Sequence, residues 1–475
     1  MDTPQLYRSR PNHSSCTMAA VRVAQRIPLV VVIGTTGVGK TKLGIELAKK
    51  MGGEVVNADA LQMYRGLSIA TAKATSAEMD GVTHHMMSFL NPTESFTPHE
   101  FCARAEPLIE DIYKRGKVPI VVGGTLYYIQ SLLWKSLLST QNDVSGTDSE
   151  FLPDLKRDTN ALERSPQELW DHLHRIDPVM AERLHVNNVR KVERAIDIFE
   201  STGKRQSDLI DEQIAGGGGV GGTSPYNYRL LWLYAEKQVL QDRLEKRVDR
   251  MIADGLPAEI RDLQRDLLKG ENEGQGTFDW SRGVLQAIGF KEFEEYLSLA
   301  RDDRELQNGE KVRASLEMGA DRLKMHTRRY ANRQMKWIRN RLVRRGVHVH
   351  LLDTSNVNEW EEHVLKKAMS ISEGLASVPD GVNTEEAKRI LDETREAALA
   401  ISGGRAQVSN PLLTWKKHTC DVCNRIIDGD HEWAIHLTTR AHRRNVAKLA
   451  KHARAPTQGE EGDTTLPETK KRKNE

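Results

Sequence analysis

The stretch Leu29–Lys50, LVVVIGTTGVGKTKLGIELAKK, decides the fold. Ile27–Ile33 is an apolar run of strand length, and Leu43, Leu47 and Ala48 share one face of a helix over Lys40–Met51. Between them stand Gly34, Thr35, Thr36, Gly37, Val38, Gly39, Lys40 and Thr41, with the spacing G-x-x-x-x-G-K-[ST]. The glycines let backbone N–H groups curl round a phosphate, and the following helix offers its positive end. Lys40 adds a point charge, and the Thr41 hydroxyl suits Mg²⁺. Strand, glycine loop and amphipathic helix in that order mark a site for a diphosphate or a triphosphate.

Outward from the loop the same alternation continues. Glu54–Val56, Val118–Val122, Tyr228–Tyr234 and residues 347–353 read as strands. Glu100–Arg115 reads as a helix with Phe101, Ala105, Leu108 and Ile112 in one stripe. This predicts an α/β fold: a P-loop NTPase-like parallel sheet flanked by helices, over 27–140 and 226–353. Residues 150–213 hold no strand pattern and form an inserted all-helical lobe, followed by the glycine loop 216–222. Residues 354–410 are a helical and linker region. Residues 411–447 form a small unit of their own, and 448–475 a disordered charged tail.

Composition narrows the functional classes. A net charge of +2 over 475 residues means that nucleic-acid binding must come from local basic patches. Four cysteines, Cys16, Cys102, Cys420 and Cys423, build no disulfide framework, so a reducing compartment is expected. The apolar runs are too short to cross a bilayer. Residues 1–26 carry Arg8, Arg10, Arg22 and Arg26 against Asp2, a transit-segment composition, and Met18 offers a second start. Lys470–Lys473 is a basic cluster that suits a nuclear address or a solvated tail. Mitochondrial and cytoplasmic placement, with a nuclear share, is the expectation.

Nucleotide hydrolases keep an acid at the end of a second strand to hold the metal's water shell. Here Val118–Val122 ends in Gly123-Gly124-Thr125, without a carboxylate. The acid stands elsewhere. Glu54–Val56 runs into Asn57-Ala58-Asp59, which puts Asp59 at the carboxyl edge of the sheet, where ligands sit in such folds. A general base, a magnesium-shell ligand and a plain helix cap all fit that position.

Six motifs now combine. They are GTTGVGKT, NADALQMYRGLSIATAK (Asn57–Lys73), VPIVVGGTLYYIQSLL (Val118–Leu133), LHVNNVRKVERAIDIFESTG (Leu184–Gly203), LQAIGFKEF (Leu285–Phe293) and TRRYANRQMKWIR (Thr327–Arg339). In this order, over roughly 27–350, the chain resembles the tRNA dimethylallyltransferase (tRNA isopentenyltransferase) family, in its eukaryotic form. The resemblance implies that the loop holds the diphosphate of dimethylallyl diphosphate, with Mg²⁺ at Thr41. The prenyl group would pass to N6 of an adenosine beside the anticodon of tRNA. By resemblance Asp59 is the base, and Thr125 contacts the target adenosine. Arg243, with Arg247 one turn on, reaches the diphosphate. Asp59, Ala60, Leu61 and Gln62 touch the tRNA, with Gln62 facing a base edge. The helical lobe, with Asn188, Arg190, Lys191 and Arg194, embraces the anticodon stem-loop. His84 and His85 match the family pattern and suggest packing rather than chemistry. Two solvated arginines paired with Glu245 or Asp249 are the alternative reading of Arg243 and Arg247.

Two further features point to RNA. Asp321–His350 holds ten Lys or Arg against one Asp. With Tyr330 and Trp337 facing the core, Arg329, Arg333 and Lys336 share an outer face that suits a phosphate backbone. Near the C-terminus, Cys420-x2-Cys423-x12-His436-x5-His442 has the ligand spacing of a C2H2 zinc finger binding structural Zn²⁺. Ile427 and Trp433 would form its small core, and Lys416, Lys417, Arg425, Arg440, Arg443 and Arg444 its basic surface. A single finger suits an extra grip on RNA.

The rivals are a prenyltransferase of free adenine nucleotides, a P-loop kinase or NTPase, and a non-catalytic RNA binder. The lobe and finger weigh against the first, the Gly123-Gly124 strand end against the second, and intact Lys40, Thr41 and Asp59 against the third. Nothing in the sequence demands more than a monomer.

Overall fold

The computed structural model describes residues 27–134, 165–215, 220–270, 283–299, 309–374, 388–390, 392, 396, 417–423, 425–428 and 430–453. The expectations for 1–26, 136–160, most of 216–222, 402–410 and 454–475, with Lys416 and the Lys470–Lys473 cluster, lie outside the described residues, as do the side chains of Lys417 and Arg425. The chain divides into two compact units. One comprises 1–162 with 208–408, the other 163–207 with 409–475.

The first unit is built on six parallel strands: β1 (Leu29–Gly34), β2 (Glu54–Asn57), β3 (His84–His85), β4 (Pro119–Val122), β5 (Tyr228–Tyr234) and β6 (His350–Asp353), in the order β3-β2-β4-β1-β5-β6. Both faces are covered, and the period-2 alternation of strand side chains divides the residues between two apolar layers. Leu29, Val31, Ile33, Val121, Leu230 and Trp232 face a layer containing Phe101, Ile109 and Ile112 of α2 (Pro98–Lys114) and Leu126, Ile129 and Leu132 of α3 (Leu126–Leu133). Val30, Val32, Ile120, Val122, Leu231 and Leu233 face the other layer, with Leu43 and Leu47 of α1 (Lys40–Met51) and Trp360. Each such fully buried side chain contributes about 1.5–3 kcal/mol. This is the parallel sheet, flanked by helices, expected from the sequence.

Two further helices frame the sheet's carboxyl edge. They are α4 (Lys237–Ala253) and the 33-residue α5 (Gly309–Arg341). After β6 the chain makes a short π-helix, Trp360–Leu365, that packs beside β1's loop, and then the helix Lys366–Ser372. Local chemistry sets the helix starts. Thr97 and Glu100 form a capping box before α2, with Pro98 at its first position.

The edge strand β3 was not apparent in the sequence, because two residues are too few to show a period. A buried ion cluster anchors it. Glu54, 3% exposed, bonds the Arg115 guanidinium, the Lys117 ammonium at 2.7 Å and His85 Nε2 at 2.7 Å. His84 Nδ1 meets the Val82 carbonyl oxygen at 2.9 Å. The paired histidines therefore fasten the sheet edge. The Arg115 hydrogen bonds, with those from Lys117 and His85, hold the Glu54 carboxyl far below its ordinary range.

The second unit contains Pro166–Ile176, Pro178–Arg183 and Val189–Thr202, all helical. Asp177, 1% exposed, caps the second of these through Met180 N–H at 2.9 Å. It also accepts from Ser207 N–H at 2.9 Å and Ser207 Oγ at 2.8 Å, so its charge is fully hydrogen-bonded. The same unit holds an antiparallel pair, β7 (Lys417–Cys420) and β8 (Arg425–Asp428), followed by the helices Asp430–Thr438 and Arg440–Ala453.

Glu54→Gln should lower stability by about 2 kcal/mol at neutral pH, read as a urea midpoint, because it strips charge-assisted bonds from a buried acceptor. A depressed carboxylate stabilises the fold above the ordinary glutamate range and loses that effect as pH falls. The gap between wild type and variant should therefore narrow below about pH 4.5; a gap that widens there would contradict the assignment.

Candidate functional site

The site forms at the carboxyl ends of β1, β2 and β4. The loop after β1 reaches α1 through Gly39, which has φ 92°. A methyl group there would lie 2.9 Å from the Trp360 ring, so only glycine fits. Lys40 Nζ folds back to donate to Thr35 O at 2.8 Å. Burial draws its ammonium down to about 8, opposed by the charge of Asp59 and reinforced by that of Arg247. The Thr35 hydroxyl is buried and finds no partner among the described residues. Thr41 stands exposed in the first turn of α1, an accessible hydroxyl that fits a magnesium ligand. An anion here would restore the full charge of Lys40.

Asp59 follows β2 on the same edge. Its N–H donates to Asn57 Oδ1 at 3.1 Å, and its Oδ1 accepts from Leu61 N–H at 3.2 Å. It therefore caps the 3₁₀ turn Ala60–Met63. Its other oxygen lies toward β4: a methyl group on Gly124 would come 3.2 Å from Asp59 Oδ2. Burial raises the Asp59 carboxyl, opposed by the charges of Lys40 and Arg247. One side chain is thus both a cap and a carboxylate in the field of two cations. Thr125 binds this turn: its N–H donates to Ala58 O at 3.2 Å and its Oγ1 accepts from Ala60 N–H at 2.9 Å.

The glycines after β4 show why no acid stands there. A methyl on Gly123 would lie 2.1 Å from Ala58 O, and one on Gly124 2.8 Å from Gln334 Nε2. The strand end is packed too tightly for a carboxylate to hold a metal's water shell.

Arg243 and Arg247 are held differently. Arg243 Nη2 donates to the carbonyl oxygens of Thr354 at 2.6 Å and Ser355 at 3.0 Å, closing the end of β6. Arg247, one turn further along α4, is the arginine whose charge acts on both Lys40 and Asp59. The carboxylates on α4 do not take up either arginine. Glu245 pairs with Arg328 at 2.7 Å and Asp249 with Lys324 at 2.6 Å. A four-residue spacing on one helix could not tell the two arginines apart; the position of β6 does.

Gln62 Nε2 donates to Thr71 O at 3.2 Å and Ala72 O at 3.3 Å, so its amide nitrogen holds the loop after the 3₁₀ turn. That loop is strained, with Leu67 at φ 46° and Ala72 at φ 48°. Glu259 secures it by accepting from Ile69 N–H at 2.8 Å and Ala70 N–H at 2.9 Å. Ala60 and Leu61 are half-buried beside Asp59.

On α5, Arg329 and Lys336 are exposed and Arg333 is half-buried, while Trp337 packs into the core. Tyr330 turns inward, as expected, but toward the site. Its hydroxyl lies 3.6 Å from where a Gly124 methyl would be. Gln334, four residues on, is fully buried and was not singled out in the sequence. Its visible signal was a polar residue on the same helix face as Tyr330.

In the second unit, Asn188 precedes Val189–Thr202, whose Val192, Ala195, Ile196 and Ile198 are buried. Lys191 is exposed, and Arg190 and Arg194 are half-buried four residues apart. Near the C-terminus the ligand atoms of Cys420, Cys423, His436 and His442 lie within 4.8 Å of one another. His442 Nδ1 is 3.5 Å from each cysteine sulfur and 3.2 Å from His436 Nε2. A tetrahedron with zinc bond lengths requires about 3.5 Å between sulfur and nitrogen and about 3.3 Å between nitrogens. The donor set is thus compatible with zinc. Asn445 Nδ2 donates to Cys423 Sγ at 3.4 Å, and Trp433 stacks on His418 and His436. Arg440, Arg443 and Arg444 are exposed.

Fold and site together describe a P-loop protein whose edge carboxylate is Asp59, after β2, rather than a residue at the end of β4. Comparison with known proteins agrees. Residues 62–341 match the IPP transferase family and residues 27–91 the isopentenyl transferase family. Proteins called tRNA dimethylallyltransferase are 38% identical in Mus musculus, over 89% of this chain and 86% of theirs, and 38% in Homo sapiens, over 90% and 88%. The Saccharomyces cerevisiae protein of that name is 34% identical over 90% and 93%. A solved structure of a eukaryotic dimethylallyltransferase acting on tRNA superposes with a TM-score of 0.65, at 30% identity, covering 90% of this chain and 98% of that one. The chain belongs to the IPP transferase family. Among the described residues no helix is long and apolar enough to cross a membrane.

Purified protein should carry one zinc per chain by elemental analysis, and His442→Ala should lose it. Retention of full zinc by that variant would remove the four-ligand assignment.

Proposed function

We propose that this protein transfers the dimethylallyl group of dimethylallyl diphosphate to N6 of an adenosine beside the anticodon of tRNA, releasing diphosphate. The observation that carries the reading is the meeting of Asp59, Lys40 and Arg247 at the sheet's carboxyl edge, in a chain of the IPP transferase family. The amine forms the new C–N bond at C1 of the donor. The C–O bond breaks, the pyrophosphate leaves with its electron pair, and the N6 proton passes to Asp59. A carboxyl raised by burial is a better proton acceptor than an exposed one, and the charges of Lys40 and Arg247 favour its ionised form.

The loop Gly34–Thr41, with Lys40 and Arg247, receives the charge that builds on the departing group. Arg243 supports the same edge from behind by holding the end of β6. Mg²⁺ at Thr41, when bound, supplies further neutralisation of the pyrophosphate. Thr125 fixes the turn against which the adenosine is placed, next to Asp59 and Ala60. Bases in RNA loops can be splayed out, which brings an exocyclic amine to a recessed base. The basic face of α5, with Arg329, Arg333 and Lys336, and the lobe residues Asn188, Arg190, Lys191 and Arg194 supply phosphate contacts. The zinc unit adds a further grip.

The test is transfer of labelled dimethylallyl diphosphate, with Mg²⁺, to unmodified tRNA or to AMP. Label in tRNA and none in AMP is expected. Asp59→Asn should cut the rate at least about 100-fold with tRNA affinity nearly unchanged. Label on AMP would move the protein to nucleotide prenylation. Failure to transfer with retention of ATP would restore the kinase reading.

A further inference from the structure

One side chain joins the two loops that the reaction uses. Gln334 is fully buried on α5. Its Oε1 accepts from Thr36 N–H at 2.9 Å, and its Nε2 donates to Gly124 O at 3.0 Å. The partners lie 298 and 210 residues away in the chain. Both are main-chain groups, one in the loop after β1 and the other in the turn after β4, and β1 and β4 are hydrogen-bonded neighbours. A buried site with one N–H and one carbonyl to satisfy needs a side chain that accepts and donates at once, which Gln does and a hydrocarbon does not. Leaving either group unpaired costs about 1–3 kcal/mol.

The two ends have distinct chemical meaning. Thr36 N–H belongs to the loop whose amides would line a diphosphate. Gly124 precedes Thr125, which bonds the Asp59 turn, and lies against Asp59 Oδ2. Four residues before Gln334 on the same helix is Tyr330, which faces that point, while Arg329 and Lys336 are exposed on the outside of α5. A single helix therefore bonds the donor loop and the Gly124 turn beside Asp59, and carries the outer basic face.

We propose that Gln334 is a positioning residue that sets the separation between the diphosphate loop and the Asp59–Thr125 turn, so that the donor carbon and the acceptor amine meet at a fixed distance. It touches neither reacting atom. Its effect comes from geometry, since a displacement of about 1 Å at a reacting pair can cost about 100-fold in rate. The inference rests on the loop being the diphosphate site.

Two variants test it beside wild type, with single-turnover transfer rate, tRNA affinity and the affinity for inorganic pyrophosphate as readouts. Gln334→Leu keeps the volume and removes both hydrogen bonds. It should lower the transfer rate about 10- to 100-fold while tRNA affinity stays within about twofold. Gln334→Glu decides the point independently, including where the leucine variant fails to fold. A protonated glutamic acid has the same donor and acceptor as Gln, whereas its carboxylate loses the donor and repels the diphosphate. The rate of Gln334→Glu relative to wild type should therefore rise as pH falls from about 9 to about 6, and its pyrophosphate affinity should rise with it. Taking the ratio at each pH removes the titrations that the two proteins share. A leucine variant at wild-type rate, or a glutamate ratio flat with pH, would overturn the proposal. Absence of transfer by the wild type would instead strike the assigned reaction, so the two failures are distinct.

Discussion

The structure turns on three charges that share one recess: the Asp59 carboxylate, the Lys40 ammonium and the Arg247 guanidinium. Burial disfavours the charged form of each, raising the acid and lowering the bases. Each cation opposes the rise of the acid, and the acid opposes the fall of each cation. The net result is a site with excess positive charge and one basic oxygen, suited to an anion that leaves and an amine that loses a proton. The parallel sheet makes this possible by ending β1, β2 and β4 at one edge.

The surrounding structure preserves that recess. Glycines at 39, 123 and 124 admit close approach of the Trp360 ring, the Ala58 carbonyl and the Gln334 amide. Thr125, Asn57 and the 3₁₀ turn fix Asp59 from three sides. Arg243 closes the β6 end, and Trp360 is itself held by Glu46 Oε2 at 2.6 Å and lies under Lys42. The same tight packing explains the missing strand-end acid. The space a nucleotide hydrolase uses for its metal ligand is occupied by backbone and by Gln334.

Much of this was legible in the sequence because it rests on local pattern. The loop spacing at Gly34–Thr41, the helix stripe on α1 and the Cys420–His442 spacing each report a physical requirement within a short window. The legible part stops where a role depends on distant neighbours. Arg243 and Arg247 differ only through β6, which lies over a hundred residues further along the chain. The hold of Gln62 on the loop at Thr71 and Ala72 appears only once that loop folds back on it. Gln334 shows only as a polar residue on the face of Tyr330, because its partners are distant backbone groups. The β3 strand is fixed by the bond between His85 and Glu54, a carboxylate that Arg115 and Lys117 also hold, rather than by any periodic pattern of its own.

The most direct test of the shared-charge account is the pH dependence of single-turnover transfer in wild type, Arg247→Gln and Arg243→Gln. The rate should rise through an ionisation above the ordinary aspartate range, since it needs the Asp59 carboxylate and burial raises that group. Removing Arg247 removes a charge that favours the carboxylate, so the limb should move to still higher pH. Removing Arg243, which bonds β6 instead, should leave it in place. A limb at the ordinary aspartate range in wild type, or one that shifts with Arg243 and not with Arg247, would contradict the account.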